Sequence, residues 1–128
     1  MKKEVYAYGE HSGAAGSWTV IPLYVDGSST TANQYTVKQG FKLKIYELDG
    51  TAETDTIVRI EVSLDGGTTW VGAKVVRLPA GVHQHVSWRF PFIVNAYGSN
   101  GAQVRARFYQ SSAGAVRVSF HGEVEELD

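Results

Sequence analysis

The chain has no cysteine in its 128 residues. That absence removes disulfides, thiolate zinc sites and cysteine nucleophiles together. Net charge is nearly absent too: 12 Lys and Arg stand against 13 Asp and Glu, leaving −1. Such a balance gives no electrostatic reason to expect nucleic acid or an anionic membrane as a partner. No apolar run approaches the ~20 residues of a membrane-spanning helix, so no membrane partner is expected. Two lysines follow Met1, but no apolar segment comes after them, and no signal peptide is expected. No window carries the 3.6-residue periodicity of an amphipathic helix, and no internal repeat appears.

What the chain does have is glycine, valine, threonine and tyrosine. Fourteen glycines and seven tyrosines tilt the expectation toward strands and turns. The length fits one domain, residues 1–128. A domain of that size buries roughly two-thirds of its unfolded surface, enough for a core without covalent staples.

The clearest element is the stretch 56–76, TIVRIEVSLDGGTTWVGAKVV. Val58, Ile60, Val62 and Leu64 alternate with Arg59, Glu61 and Ser63, the period-2 pattern of a half-buried strand. Asp65, Gly66 and Gly67 supply residues that tolerate the positive φ of a hairpin turn. Within it, SLDGGTTW resembles the Asp-box hairpin of sialidase propellers, with Ser63, Asp65, Gly67, Thr69 and Trp70 at the pattern positions. The resemblance implies a structural hairpin, not a catalytic centre. A propeller needs several four-stranded blades, so the chain is too short to be a sialidase. These five residues are expected to staple the turn.

Toward the N-terminus, residues 1–10 read as a short extended arm with Tyr6 and Tyr8 on one side. WTVIPLYV, residues 18–25, is apolar on both faces: Trp18, Val20 and Tyr24 one way, Ile21, Leu23 and Val25 the other. Pro22 cannot donate to a ladder, so this strand is expected at an edge or bulge. Tyr6, Tyr8, Trp18, Ile21, Leu23, Tyr24 and Val25 are the candidate intersubunit face. The arm is expected to add a strand to a neighbour. Further on, Phe41, Leu43 and Ile45 alternate with Lys42, Lys44 and Tyr46. Residues 82–94 place Val82, Val86, Trp88, Phe90, Phe92 and Val94 on one face and His83, His85, Ser87 and Arg89 on the other, one layer of a sandwich. Pro91 predicts a bulge, or a bend from one sheet to the other. SSAG at 111–114 reads as a hairpin turn, and the acidic tail as a fraying end. The sum is an all-β fold: an antiparallel two-sheet β-sandwich, jelly-roll-like, of about eight strands. An immunoglobulin-like sandwich is the alternative.

Chemistry is sparse. His83 and His85 share a strand face, but two imidazoles do not complete a metal site; no metal and no cofactor are expected. Asp49, Asp55 and Asp65 lack the spacing of a calcium loop. No serine sits in a nucleophile-elbow context, and no enzyme is expected. Arg105, Arg107 and Tyr109 share one strand face, with Arg117 expected on the adjacent strand. A few basic groups in a slightly acidic chain are read as ion pairs across strands or across subunits rather than a nucleic-acid track. Trp18, Tyr46, Tyr97 and Tyr109 are candidate platforms for sugar rings.

YTVKQGFKLKIYEL at 35–48, the strand leading into DGGTTW, and VRVSFHGEVEE at 116–126 together resemble small jelly-roll accessory proteins of tailed-bacteriophage virions, the capsid decoration or cement type. The resemblance implies a non-enzymatic virion protein, a homotrimer that clamps the major capsid or another virion protein. The alternative is a carbohydrate-binding module or tail receptor-binding domain with a glycan as ligand.

Overall fold

In a computed structural model, alternation of apolar and polar residues becomes ten strands among the described residues. They are β1 (Lys2–Ser12), β2 (Thr19–Val20), β3 (Leu23–Val25), β4 (Tyr35–Val37), β5 (Phe41–Ala52), β6 (Thr56–Ser63), β7 (Val71–Leu78), β8 (Gln84–Asn95), β9 (Ala102–Gln110) and β10 (Ala115–Glu126). The structure describes residues 2–128, apart from the Phe90 side chain. Met1, counted in the 1–128 domain, and the Phe90 side chain, assigned above to an apolar face, lie outside the described residues.

The strands form two antiparallel sheets. The first runs β3-β1-β10-β5-β8. The second runs β2-β9-β6-β7, with β4 also on β9. Read from both ends inward, the chain forms nested pairs: β1 with β10, β4 with β9, β5 with β8, β6 with β7. A ribbon of nested pairs wrapped over two sheets is a jelly roll. Inward-facing residues of both sheets make one core, with Leu48, Ile60, Leu78, Phe108 and Val118 fully buried. Close approach of paired strands demands a small residue where β4 meets the start of β9. Gly101 has φ +67°, and a Cβ there would stand 2.3 Å from the Val37 carbonyl oxygen.

Several expectations change. Residues 2–12 are not a free arm: β1 pairs β10 over its whole length and β3 at residues 7–9. One edge of this strand is taken by the chain's own last strand, and the middle of its other edge by β3 and Asp26. Residues 18–25 are not one strand. They break at Ile21-Pro22, where the chain crosses from the second sheet to the first. The Ile21 amide donates to the Ala106 carbonyl and the Leu23 amide to Ala32. Ile21 and Leu23 are buried in the core, so neither belongs to an intersubunit face. SSAG joins strands of different sheets and is therefore no hairpin. At Pro91 the chain stays in one sheet. The β5–β8 register jumps between Ile45–Phe92 and Glu47–Ser87, and Pro91 falls in that bulge, where its missing N–H costs no ladder bond. The acidic tail continues as β10, and the Leu127 amide donates to the Gly40 carbonyl. Lys42 and Lys44 face outward, but both lie against Glu125.

Candidate functional site

Pairing of the first and last strands builds an outer face that carries tyrosine, histidine and carboxylate side chains. One row across the first sheet reads Tyr24, Tyr8, Ser119, Asp49, His85. The next reads Tyr6, His121, Glu47, Ser87. Strands lie ~4.8 Å apart, so a five-strand row spans roughly 19 Å. Tyr6, Tyr8 and Tyr24 are 57%, 44% and 41% exposed. They stand around an open cleft of about 520 Å³ that Asp49, Ser119 and His121 help to line.

The polar groups of this face hold one another. The Tyr6 ring stacks on His121, centroids 4.7 Å apart and 13° from parallel. His121 contacts Glu4 through Nε2 and lies 3.5 Å from Glu47 through Nδ1. Asp49 Oδ1 lies 2.8 Å from His85 Nδ1 and 3.3 Å from His83 Nε2. Hydrogen bonding to Asp49 raises the His85 pKa above the usual imidazole value. The Tyr8 hydroxyl donates to Glu10, and that bond holds its proton above the ordinary phenol range. The two histidines noted in sequence are thus gathered on one carboxylate. Among the described residues, no group of three His, Asp or Glu side chains is set to hold a metal ion.

The other singled-out residues fall elsewhere. In the β6–β7 turn, Asp65 Oδ1 accepts from the Thr68 amide at 3.1 Å, the Thr69 amide at 2.8 Å and the Ser63 hydroxyl at 2.8 Å. The Gly67 amide donates to Ser63 Oγ, and Trp70 Nε1 donates to the Gly67 carbonyl. The Thr69 amide and these neighbouring donors hold the Asp65 pKa down to about 2. Of the candidate intersubunit residues, only Tyr6, Tyr8 and Tyr24 stand together in the open. Val25 packs against the core, and Trp18 is half-buried beside Tyr109 on the second sheet. Among the candidate sugar platforms, Tyr97 is exposed while Tyr46 and Tyr109 are half-buried.

Arg105, Arg107 and Tyr109 share an outer face, as their alternation implies. Arg117 is not beside them, because β9 and β10 lie in different sheets. Both arginines meet a cross-strand acid: Arg105 Nε and Arg107 Nη2 donate to Glu61 at 2.7 and 2.8 Å. Arg59 Nε donates to the same carboxylate at 2.7 Å. Burial opposes the charge on Glu61, but the bonds from Arg107, Arg105 and Arg59 outweigh it and hold its pKa below the usual range.

The sequence offers Asp49 only as a calcium candidate and does not join it with Glu47 and His121 as the cleft's polar half. Each sits on a recognisable polar strand face. What brings them to the tyrosines is the pairing of β10 with both β1 and β5, strands far apart in sequence, which periodicity does not encode.

No family model matches the chain, and no curated protein does. Solved structures of similar fold are found. One is of infectious bursal disease virus, Gx strain: TM-score 0.46, 13% identity, covering 97% of this chain and 37% of that one. The chain therefore spans little more than a third of the viral chain's length. A second is a CBM4 structure: TM-score 0.43, 17% identity, 86% and 70% coverage. A third is the N-terminal cellulose-binding domain of Cellulomonas fimi β-1,4-glucanase C: TM-score 0.44, 14% identity, 97% and 89% coverage. The likeness is one of β-sandwich fold.

Proposed function

We propose that the domain is a non-catalytic glycan-binding module that seats an uncharged sugar chain in the tyrosine cleft of the first sheet. The observation that carries this is the cluster of three exposed tyrosines around a cleft of about 520 Å³. Its size lies within the range of small-ligand sites, and its polar groups converge on it. Tyrosine rings offer flat apolar faces to the carbon-bound faces of sugars. The phenol hydroxyls, Ser119 and the Asp49 carboxylate supply bonds for sugar hydroxyls. Every one of these groups stands on a paired strand, so little ordering cost falls on binding.

The test is titration of the full chain with a panel of neutral oligosaccharides. At least one is expected to bind. Tyr6→Ala and Tyr24→Ala are each expected to weaken it roughly tenfold with little change in melting temperature. Failure of every neutral glycan to bind the folded protein overturns the reading.

A second reading follows the virion resemblance: a decoration or cement protein, located in the virion, that assembles as a homotrimer on the major capsid or another virion protein. One observation favours it. Leu64, Val71 and Val75 are exposed around the β6–β7 hairpin, and β7 ends the second sheet. An apolar sheet edge invites a neighbour. Absolute solution mass tests it. A species near three times 14.0 kDa that Val75→Glu disperses supports it. A monomer that does not bind assembled shells removes it.

A further inference from the structure

The outer face of the second sheet carries more positive charge than its pairing consumes. Register sets three rows there: Arg105, Glu61, Gly72; Arg107, Arg59, Val75; Tyr109, Ile57, Arg77. Like charges directly opposite, as Arg107 and Arg59 are, destabilise a sheet unless an opposite charge lies between them. Glu61 supplies that charge, but it supplies one against three. A carboxylate accepts at roughly four lone-pair sites, whereas three guanidiniums offer about fifteen N–H donors. Two positive charges remain in excess in a chain of net charge −1.

The geometry turns that excess outward. The Glu61 side chain is 2% exposed, while those of Arg59, Arg105 and Arg107 keep 29%, 19% and 24%. The carboxylate lies beneath, and part of each arginine side chain stays open to solvent above it. Rings flank them: Arg105 lies 4.0 Å from the centre of the Trp70 ring, Arg59 lies 4.4 Å from that of Trp18, and Tyr109 adjoins Trp18 at 5.6 Å. The edge strand is cut away to let Arg59 lie flat, since a Cβ on Gly72 would stand 2.9 Å from Arg59 Cδ.

We propose that Arg59, Arg105 and Arg107 form an oxyanion subsite for a sulfate or phosphate ester carried on a glycan chain. Guanidinium forks match tetrahedral oxyanions and bind them with charge-assisted hydrogen bonds. The three converge on the reach of one carboxylate, which suits a single dense anionic group. A nucleic-acid strand presents spaced charges and asks for a track along the sheet. The flanking indole and phenol rings give the sugar beside that group an apolar wall. This subsite lies on the opposite face from the tyrosine cleft and does not depend on it.

The experiment titrates the full chain with dextran sulfate, uncharged dextran and oligo-dT. Dextran sulfate is expected to bind, to weaken steeply with added salt, and to shift the arginine Nε–Hε resonances in a ¹⁵N spectrum. Arg105→Lys keeps the charge and removes the fork, and is expected to lower that affinity roughly tenfold. Tyr24→Ala is expected to leave it unchanged, which separates this subsite from the cleft. The proposal is overturned by absent dextran sulfate binding, by arginine resonances that do not move, or by oligo-dT binding more tightly than dextran sulfate. Unaltered affinity in a folded Arg105→Lys protein overturns it as well.

Discussion

On the outer face of the first sheet, charges meet at the rim of open water. Asp49 reaches His83 and His85, His121 reaches Glu4 and Glu47, and most of these side chains stay about a third exposed or more. On the outer face of the second sheet, three arginines close over a carboxylate that water barely touches. The same kinds of group therefore carry different weights. Exposed pairs contribute little, because solvent screens them and long side chains lose entropy in holding them. A buried carboxylate is different: once its partners are in place, removing the charge leaves several groups desolvated without compensation.

The largest expected effect breaks the buried cluster. Glu61→Gln leaves Arg59 and Arg107 opposed with no anion between them. The expected loss is about 3–5 kcal/mol, a melting temperature lower by roughly 10 °C or more. Asp49→Asn on the other face is expected to leave the melting temperature close to that of the unmodified chain. Thermal melts of the two variants measure the contrast directly. Equal losses would mean that burial does not separate the two faces.

Next in size is the turn that ends the second sheet. Asp65 lies at the surface, yet its oxygen accepts three local bonds that close the β6–β7 connection. Asp65→Ala is expected to lower the melting temperature by less than Glu61→Gln does. The sign of its pH dependence follows from the depressed pKa, about 2 in the fold against 3.8 ordinarily. The ionised form is favoured by folding, so its stabilisation is full above pH ~4 and fades as pH falls toward 2. Melts from pH 5 to pH 2 are expected to show a steeper fall in the native chain than in Asp65→Asn. Parallel curves would assign the acid sensitivity to other carboxylates.

These contrasts also explain which parts of the molecule were legible in its sequence. Alternation alone put Val58 and Ile60 inside and Arg59 and Glu61 outside, because side chains in a strand change face at every residue. The glycine-rich turn announced itself through Asp65, Gly66 and Gly67. The crossing at Ile21-Pro22 did not, since an apolar run that passes between sheets looks like a strand buried on both faces. Nor did the fate of Lys2–Ser12 show itself. A polar, tyrosine-bearing strand reads as a loose arm until β10 is known to be its partner. Half of the tyrosine cleft and the pairing of Arg105 and Arg107 with Glu61 were hidden for the same reason: periodicity assigns faces, and topology assigns neighbours.

The smallest effect sharpens the comparison from the first sheet's side. Asp49 raises the His85 pKa by hydrogen bonding and by charge. A histidine whose folded pKa is raised contributes stability that is complete below its unfolded pKa and lost as pH rises through the folded one. Imidazole resonances followed by NMR are expected to place His85 above the usual value, and Asp49→Asn is expected to return it. The native chain should melt slightly higher on the acid side of this transition, and the variant should lose that difference. The consequence reaches the cleft, because Asp49 lines it. Protonated His85 holds that carboxylate by charge, and neutral His85 leaves it freer to accept a bond from a sugar hydroxyl. Glycan affinity is therefore expected to rise modestly as His85 deprotonates, and an affinity flat across that range would separate the Asp49–His85 pair from binding.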